Sequence, residues 1–287
     1  MINYNPKNWL SFIFSFHKSD TARMMWKELV YISILSAIIA LIEIKYFPEA
    51  TYLKNLTTVY SLLGFVISLL LVFRTNTAYD RWWEGRKVWG SMVNDSRNLS
   101  FKLTAIALEE TEKQQIAKLI IAYVFAVKNH LRNETLTEDP DYSCDLALPG
   151  NLPAVLEIQL ELRAQVEGFF QKGKIQAEQW ASIQRDLDSL VSSLGACERI
   201  KNTPIPFSYS LFIKKFIFIY VVTMPLAFVP LFGYFSAFIS TFVFYALVSM
   251  ELLAEEIEDP FGADTNDLPT DQICLNIERN VTGIFGC

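Results

Sequence analysis

The chain has 287 residues, 52% of them hydrophobic and 14% aromatic, with 22 phenylalanines, while 20% are charged and the net charge is -6. Soluble domains run at about 45–50% apolar, so the composition points to a membrane protein, and the charged fifth excludes one that is membrane throughout. The acidic balance argues against nucleic acid or an anionic lipid surface as main partner.

Residues 1–27 lack the charged start, long apolar core and small-residue cleavage site of a signal peptide. They read as an interfacial, cytoplasmic N-terminal segment. A spanning helix needs roughly 20 apolar residues. Two are expected within 28–73. The first runs from about Glu28 to Phe47, with Glu43 and Lys45 near one end, and the second covers the charge-free run Asn55–Phe73. Inside the second lies LLGFVISLLLVFR, residues 62–74, whose composition alone says only membrane.

Residues 74–206 read as a helical domain. Ile116–Val127 is apolar, but its charge-free core LIIAYVFAV is too short to span, which favours a buried helix. Ile183, Leu187, Leu190, Val191 and Leu194 recur at helical spacing and predict one buried stripe. Asn133–Pro153 is a polar loop. Two further spans are expected within 207–250, because Phe216–Met250 carries no charge and Pro225, Pro230 and Gly233 supply a break. Residues 251–287 form an acidic turn and a helix. Basic residues flank the spans at Lys18, Arg23, Lys27, Arg74, Arg81, Arg86, Lys87, Lys201, Lys214 and Lys215. The positive-inside rule then puts both termini and the 74–206 domain in the cytoplasm. The fold expected is all-α, with helices that continue from membrane into cytoplasm.

Catalytic patterns are absent from the sequence. His17 and His130 belong to no metal or nucleophile motif, and the loop Gly168–Lys174 is followed by Ile175 where a phosphate-binding loop needs a hydroxyl. Cys144, Cys197, Cys274 and Cys287 have no CxxC spacing and are expected as free thiols. No enzyme is expected. Three stretches carry information. RTNTAYDRWWEGRKVWG, residues 74–90, mixes aromatics with arginines; an interfacial helix with a Glu84–Lys87 pair explains it, and so does packing against other helices. ACERIKNTPIPFSYS, residues 196–210, ends a helix at Pro204 and Pro206 and turns the chain. ELLAEEIEDPFGADTNDLP, residues 251–269, places Glu251, Glu255, Glu256, Glu258, Asp259, Asp264 and Asp267 around the bend at Pro260 and Gly262.

With these motifs in this order, the chain resembles the bestrophin family of ion channels, its bacterial members above all. The resemblance implies a homopentamer in the bacterial inner membrane, with four transmembrane helices per subunit around one axial pore. It implies a hydrophobic neck on the second span and a constriction at the end of a cytoplasmic vestibule. The family's neck phase falls here on Phe65, Leu69 and Phe73, and their spacing independently puts them on one helix face. Val66–Leu70 with Leu62 is the rival phase. The constriction maps onto QWASI, residues 179–183, at Trp180 or Ala181. In animal members the acidic turn clasps calcium; Asp264 and Asp267 match its side-chain ligands, with Glu256 and Asp259 in the same run. No cofactor is required, and calcium or another divalent ion at this turn is the open alternative. The function expected is conduction of monovalent ions, sodium-like cations first. A chloride or anion channel of the same family is the alternative, and a membrane scaffold or receptor the reading from another class.

Overall fold

The computed structural model describes residues 21–47, 55–134 and 152–286. The loops expected around 48–54 and within 135–151 fall outside them, as do Lys18, Cys144 and Cys287. Every regular element among the described residues is a helix: α1 (Thr21–Met24), α2 (Trp26–Tyr46), α3 (Leu56–Thr104), α4 (Glu110–Arg132), α5 (Ala154–Gln171), α6 (Ala177–Asn202), α7 (Phe207–Thr223), α8 (Pro225–Phe232), α9 (Phe235–Glu258) and α10 (Thr270–Phe285). Four stretches are long and apolar enough to cross a membrane: α2, α3, α7 with α8, and α9. The described residues divide into two compact units. One holds the residues up to Asp80 with Ile205–Glu258, and the other holds Arg81–Pro204 with Asp259–Cys287.

In the first unit α2 packs on α9 and α8, and α9 packs on α7. Lipid tails offer no hydrophobic drive between helices, so close backbone approach must hold them together. Small residues provide it: Ser36 and Ala40 on α2, and Ser236 and Ser240 on α9, are all buried. The break after α7 follows from sequence. Pro225 opens α8 at its first turn, where a missing N–H is tolerated, and Gly233 ends α8 at φ 54°.

The second span does not stop at Phe73. Helix α3 runs unbroken for 49 residues, about 73 Å at 1.5 Å per residue. It contains no proline, and its hydroxyls bond to the preceding turn, as Ser68 does to the Gly64 carbonyl (2.8 Å) and Thr75 to that of Leu71 (2.9 Å). Nothing in the run stops the helix.

The second unit is built around α4, whose Ile116–Val127 stretch is buried throughout. Glu109 and Glu112 form a capping box at its start, and Asn133 ends it in the left-handed region at φ 59°. On α6, Ile183, Leu187, Leu190 and Leu194 are buried as expected, but Val191 is exposed. It sits one residue, about 100°, off the stripe. Polar seams tie the layers. The Tyr123 hydroxyl donates to the Leu190 carbonyl (3.0 Å), and Lys102 pairs with Asp186 at 2.7 Å.

Candidate functional site

The rotation of α3 within the first unit is fixed by a buried stripe of Tyr60, Ile67, Leu71, Arg74 and Ala78. Gly64 lies on the same stripe, and a Cβ there would come within 2.8 Å of the Tyr220 hydroxyl. That hydroxyl donates to the Tyr60 carbonyl at 3.2 Å, and the two tyrosine rings lie 5.4 Å apart. Only glycine admits α7 so closely. Phe65, Leu69 and Phe73 are 68%, 44% and 55% exposed in the single chain. At about 100° per residue their row is centred roughly 180° from the buried stripe. The rival row of Leu62, Val66 and Leu70 is centred roughly 60° away from that direction, and Leu70 is half-buried.

Directly below this row sits a buried charge cluster that sequence reasoning missed. Arg74 and Glu251 are each 1% exposed. The Arg74 Nη2 lies 2.6 Å from Glu258 Oε2, and its Nε lies 3.7 Å from Glu251 Oε2. Glu258 Oε1 accepts the backbone N–H of Ile205 at 2.6 Å. That N–H lies between Pro204 and Pro206, neither of which can donate. Residues from all three sequence motifs therefore meet here. The signal was visible as two charges, Arg74 and Glu251, each abutting a long charge-free run on the same side. Sequence alone could not pair them, because 177 positions separate them.

The motifs meet a second time inside the other unit. Arg81 donates to the Thr203 carbonyl and, at 2.5 Å, to that of Ile200, closing the C-terminus of α6 with a cation where the helix dipole favours one. Trp82 Nε1 donates to the Asn266 carbonyl at 3.1 Å. Gly85 admits Phe261 and Leu268, whose side chains would lie 3.2 and 3.3 Å from a Cβ. Glu84 pairs with Arg199 at 2.5 Å, across to α6, in place of the expected i,i+3 pair with Lys87. Packing explains Trp82 and Trp89, and Tyr79 and Trp83 stay exposed.

The remaining candidates separate. Trp180 turns into its own unit: its Nε1 donates to Glu167 Oε2 at 3.0 Å and its ring lies 5.4 Å from Phe170. Ala181 is exposed. In the acidic turn Asp267 is buried, and its Oδ2 accepts the Asp264 N–H at 2.7 Å. The same oxygen would lie 2.6 Å from a Cβ on Gly262, so that glycine has no room for a side chain. Asp259 and Asp264 are exposed and Glu256 is half-buried on α9. Among the described residues, no group of three or more His, Cys, Asp or Glu side chains is arranged to hold a metal ion.

Elsewhere in the second unit, titratable groups are tuned for structure. Burial alone would raise Asp271, but hydrogen bonds from Arg132 and Lys128 outweigh it and hold the carboxyl below its ordinary value. Burial, followed by the Glu198 and Glu84 charges, pushes the Cys197 thiol up to about 12, so it is neutral and unreactive.

Long apolar helices, small-residue packing and a buried charge cluster define an all-helical integral membrane protein. Comparison with known proteins sharpens that class. Residues 1–283 match the family model described as bacterial/fungal bestrophin protein. A voltage-dependent anion channel-forming protein of Nostoc sp. is 37% identical over 225 residues, 75% of this chain and 73% of its own. The voltage-dependent anion channel-forming protein YneE of Escherichia coli K12 is 31% identical over 97% of this chain and 92% of its own. The crystal structure of a bacterial bestrophin homolog from Klebsiella pneumoniae superposes with TM-score 0.82 at 30% identity, covering 91% of this chain and 98% of that one. The chain belongs to the bestrophin family, whose members are ion channels and not enzymes.

Proposed function

We propose that this chain assembles as a homopentamer around one axial pore and conducts monovalent ions through a neck of Phe65, Leu69 and Phe73. The observation that carries the reading is the exposed apolar row opposite the buried stripe of α3. The row ends one residue before the buried Arg74, at the end of the charge-free run. A symmetric ring of these side chains would make a narrow apolar constriction, which gates by dewetting. At the second constriction Ala181 is the better candidate, since Trp180 is engaged with Glu167 and Phe170. The basic flanks support a cytoplasmic position for both termini and the 81–204 unit, with the chain in a bacterial inner membrane.

On ion sign, the relatives are named as anion channel-forming proteins, which favours the anion alternative. Sodium-like permeation, the first expectation from sequence, has no support among them. The acidic balance that suggested it is a property of the whole chain and does not locate charge along a pore. The phenyl quadrupole offers a negative face and a positive edge, so edge-on rings at Phe65 and Phe73 would suit an anion.

For the acidic turn we read Asp267 as a structural acceptor, with calcium as the second reading. Calcium takes six to eight oxygens, and Asp267 already serves the Asp264 N–H. Calcium and chelator should leave the melting temperature alike; a calcium-dependent rise supports the clasp.

The deciding experiment reconstitutes the purified protein in bilayers with asymmetric sodium chloride. The expected reversal potential lies towards the chloride equilibrium value, and Leu69→Ala raises the current severalfold. A reversal towards sodium overturns the anion assignment. Silent bilayers for wild type and Leu69→Ala alike leave the scaffold reading.

A further inference from the structure

We propose that the cavity between α2, α7 and α9 binds the primary ammonium of a membrane amphiphile, with Glu251 as acceptor. The cavity has a volume of about 410 Å³, and Met25, Phe244 and Val248 are among its apolar lining residues. Its charged lining residues are Glu28, Lys214 and Glu251.

The charge distribution around Glu251 is unbalanced. Arg74 faces two carboxylates and makes its short contact, 2.6 Å, with Glu258. Its Nε stands 3.7 Å from Glu251, too far for a hydrogen bond. Among the described residues, neither Glu251 oxygen accepts a hydrogen bond, although the residue is 1% exposed. Lys214 is held at 2.8 Å by Glu255. A buried carboxylate is stabilised by a partner that both donates hydrogen bonds and carries positive charge. The apolar wall requires that the donor ride on a hydrocarbon body. A bare divalent cation meets neither demand, since the two carboxylates of Glu28 and Glu251, beside a lysine and apolar side chains, supply too few oxygens. A primary ammonium on an alkyl or acyl chain meets both. It can come from a bilayer aminophospholipid or from a free alkylamine.

Native mass spectrometry of the full-length protein tests this, with dioleoylphosphatidylethanolamine and dioleoylphosphatidylcholine added in equal amounts. The two lipids share chains and charge, but the trimethylammonium has no N–H. Wild type should retain the ethanolamine lipid at least about tenfold better, the scale of a hydrogen bond to a charged group. Glu251→Gln should bring the ratio close to one. Val248→Trp, which fills the cavity and leaves its charges alone, should do the same, so the test survives if the first variant fails to fold. Displacement of the lipid by decylamine, and not by decanol, would extend the site to free amines; lipid retained against both assigns it to the phospholipid. Equal retention of both lipids by wild type, or a preference unchanged in both variants, overturns the proposal. Conduction is not the readout, so a silent channel would leave this result standing.

Discussion

Replacing Arg74 with methionine keeps a long apolar stem in place and removes the guanidinium. Glu251, 1% exposed, and Glu258, 13% exposed, then lose the cation they share. Removing one partner of a buried ion pair destabilises by about 3–5 kcal/mol, because the remaining charge is left without compensation in a poor solvent. For a chain of this size about 1 kcal/mol shifts the melting temperature by roughly 2–4 °C, so a fall on the order of 10 °C is expected. Neutralising the stranded groups should reverse most of it: Arg74→Met with Glu258→Gln recovers part, and adding Glu251→Gln recovers most of the rest. Arg74→Lys should fall between, since an ammonium keeps the charge between the two carboxylates but loses the planar guanidinium that reaches Glu258. Thermal unfolding in detergent, followed by tryptophan fluorescence, reads wild type and all four variants. The reasoning fails if Arg74→Met melts within about 2 °C of wild type, which is less than 1 kcal/mol. It also fails if the triple variant is no more stable than the single one.

Two further outcomes follow from the second unit. The charged form of Asp271 is favoured in the fold, so its contribution is fully present above the ordinary value of 3.8 and is lost as pH falls through the lower folded value. Asp271→Asn should therefore lower the melting temperature at pH 7 and have no effect once the wild-type carboxyl is protonated; equal effects at both pH values would refute the pairing with Arg132 and Lys128. Cys197, fully buried with its thiol pushed up to about 12, should resist maleimide at pH 7 in the folded protein and react after denaturation, as peptide mass mapping would show.

Length and polarity were enough to read four apolar stretches, the break at Pro225–Gly233, and the buried helix over Ile116–Val127 from the chain alone. These are local properties: a run of side chains either suits lipid or does not, and proline removes a donor wherever it sits. The periodic spacing of Phe65, Leu69 and Phe73 was equally local, and so was the family likeness of the three motifs. Rotation was not. A uniformly apolar helix such as residues 56–73 has no polar face to announce its orientation, and two phases stayed open. Within its unit the helix is oriented by contacts distant in sequence, chiefly Gly64 against Tyr220 and Arg74 against Glu251 and Glu258, which leave Phe65, Leu69 and Phe73 opposite the buried stripe. The same holds for Trp180, whose indole found Glu167 on another helix, and for Glu84, which reached Arg199 in place of its helical neighbour Lys87. What the sequence determined by itself was which segments avoid water. Which side of each segment faces its neighbours was decided only by the tertiary structure, because a buried charge or a missing Cβ acts on whatever the fold brings within a few ångströms of it.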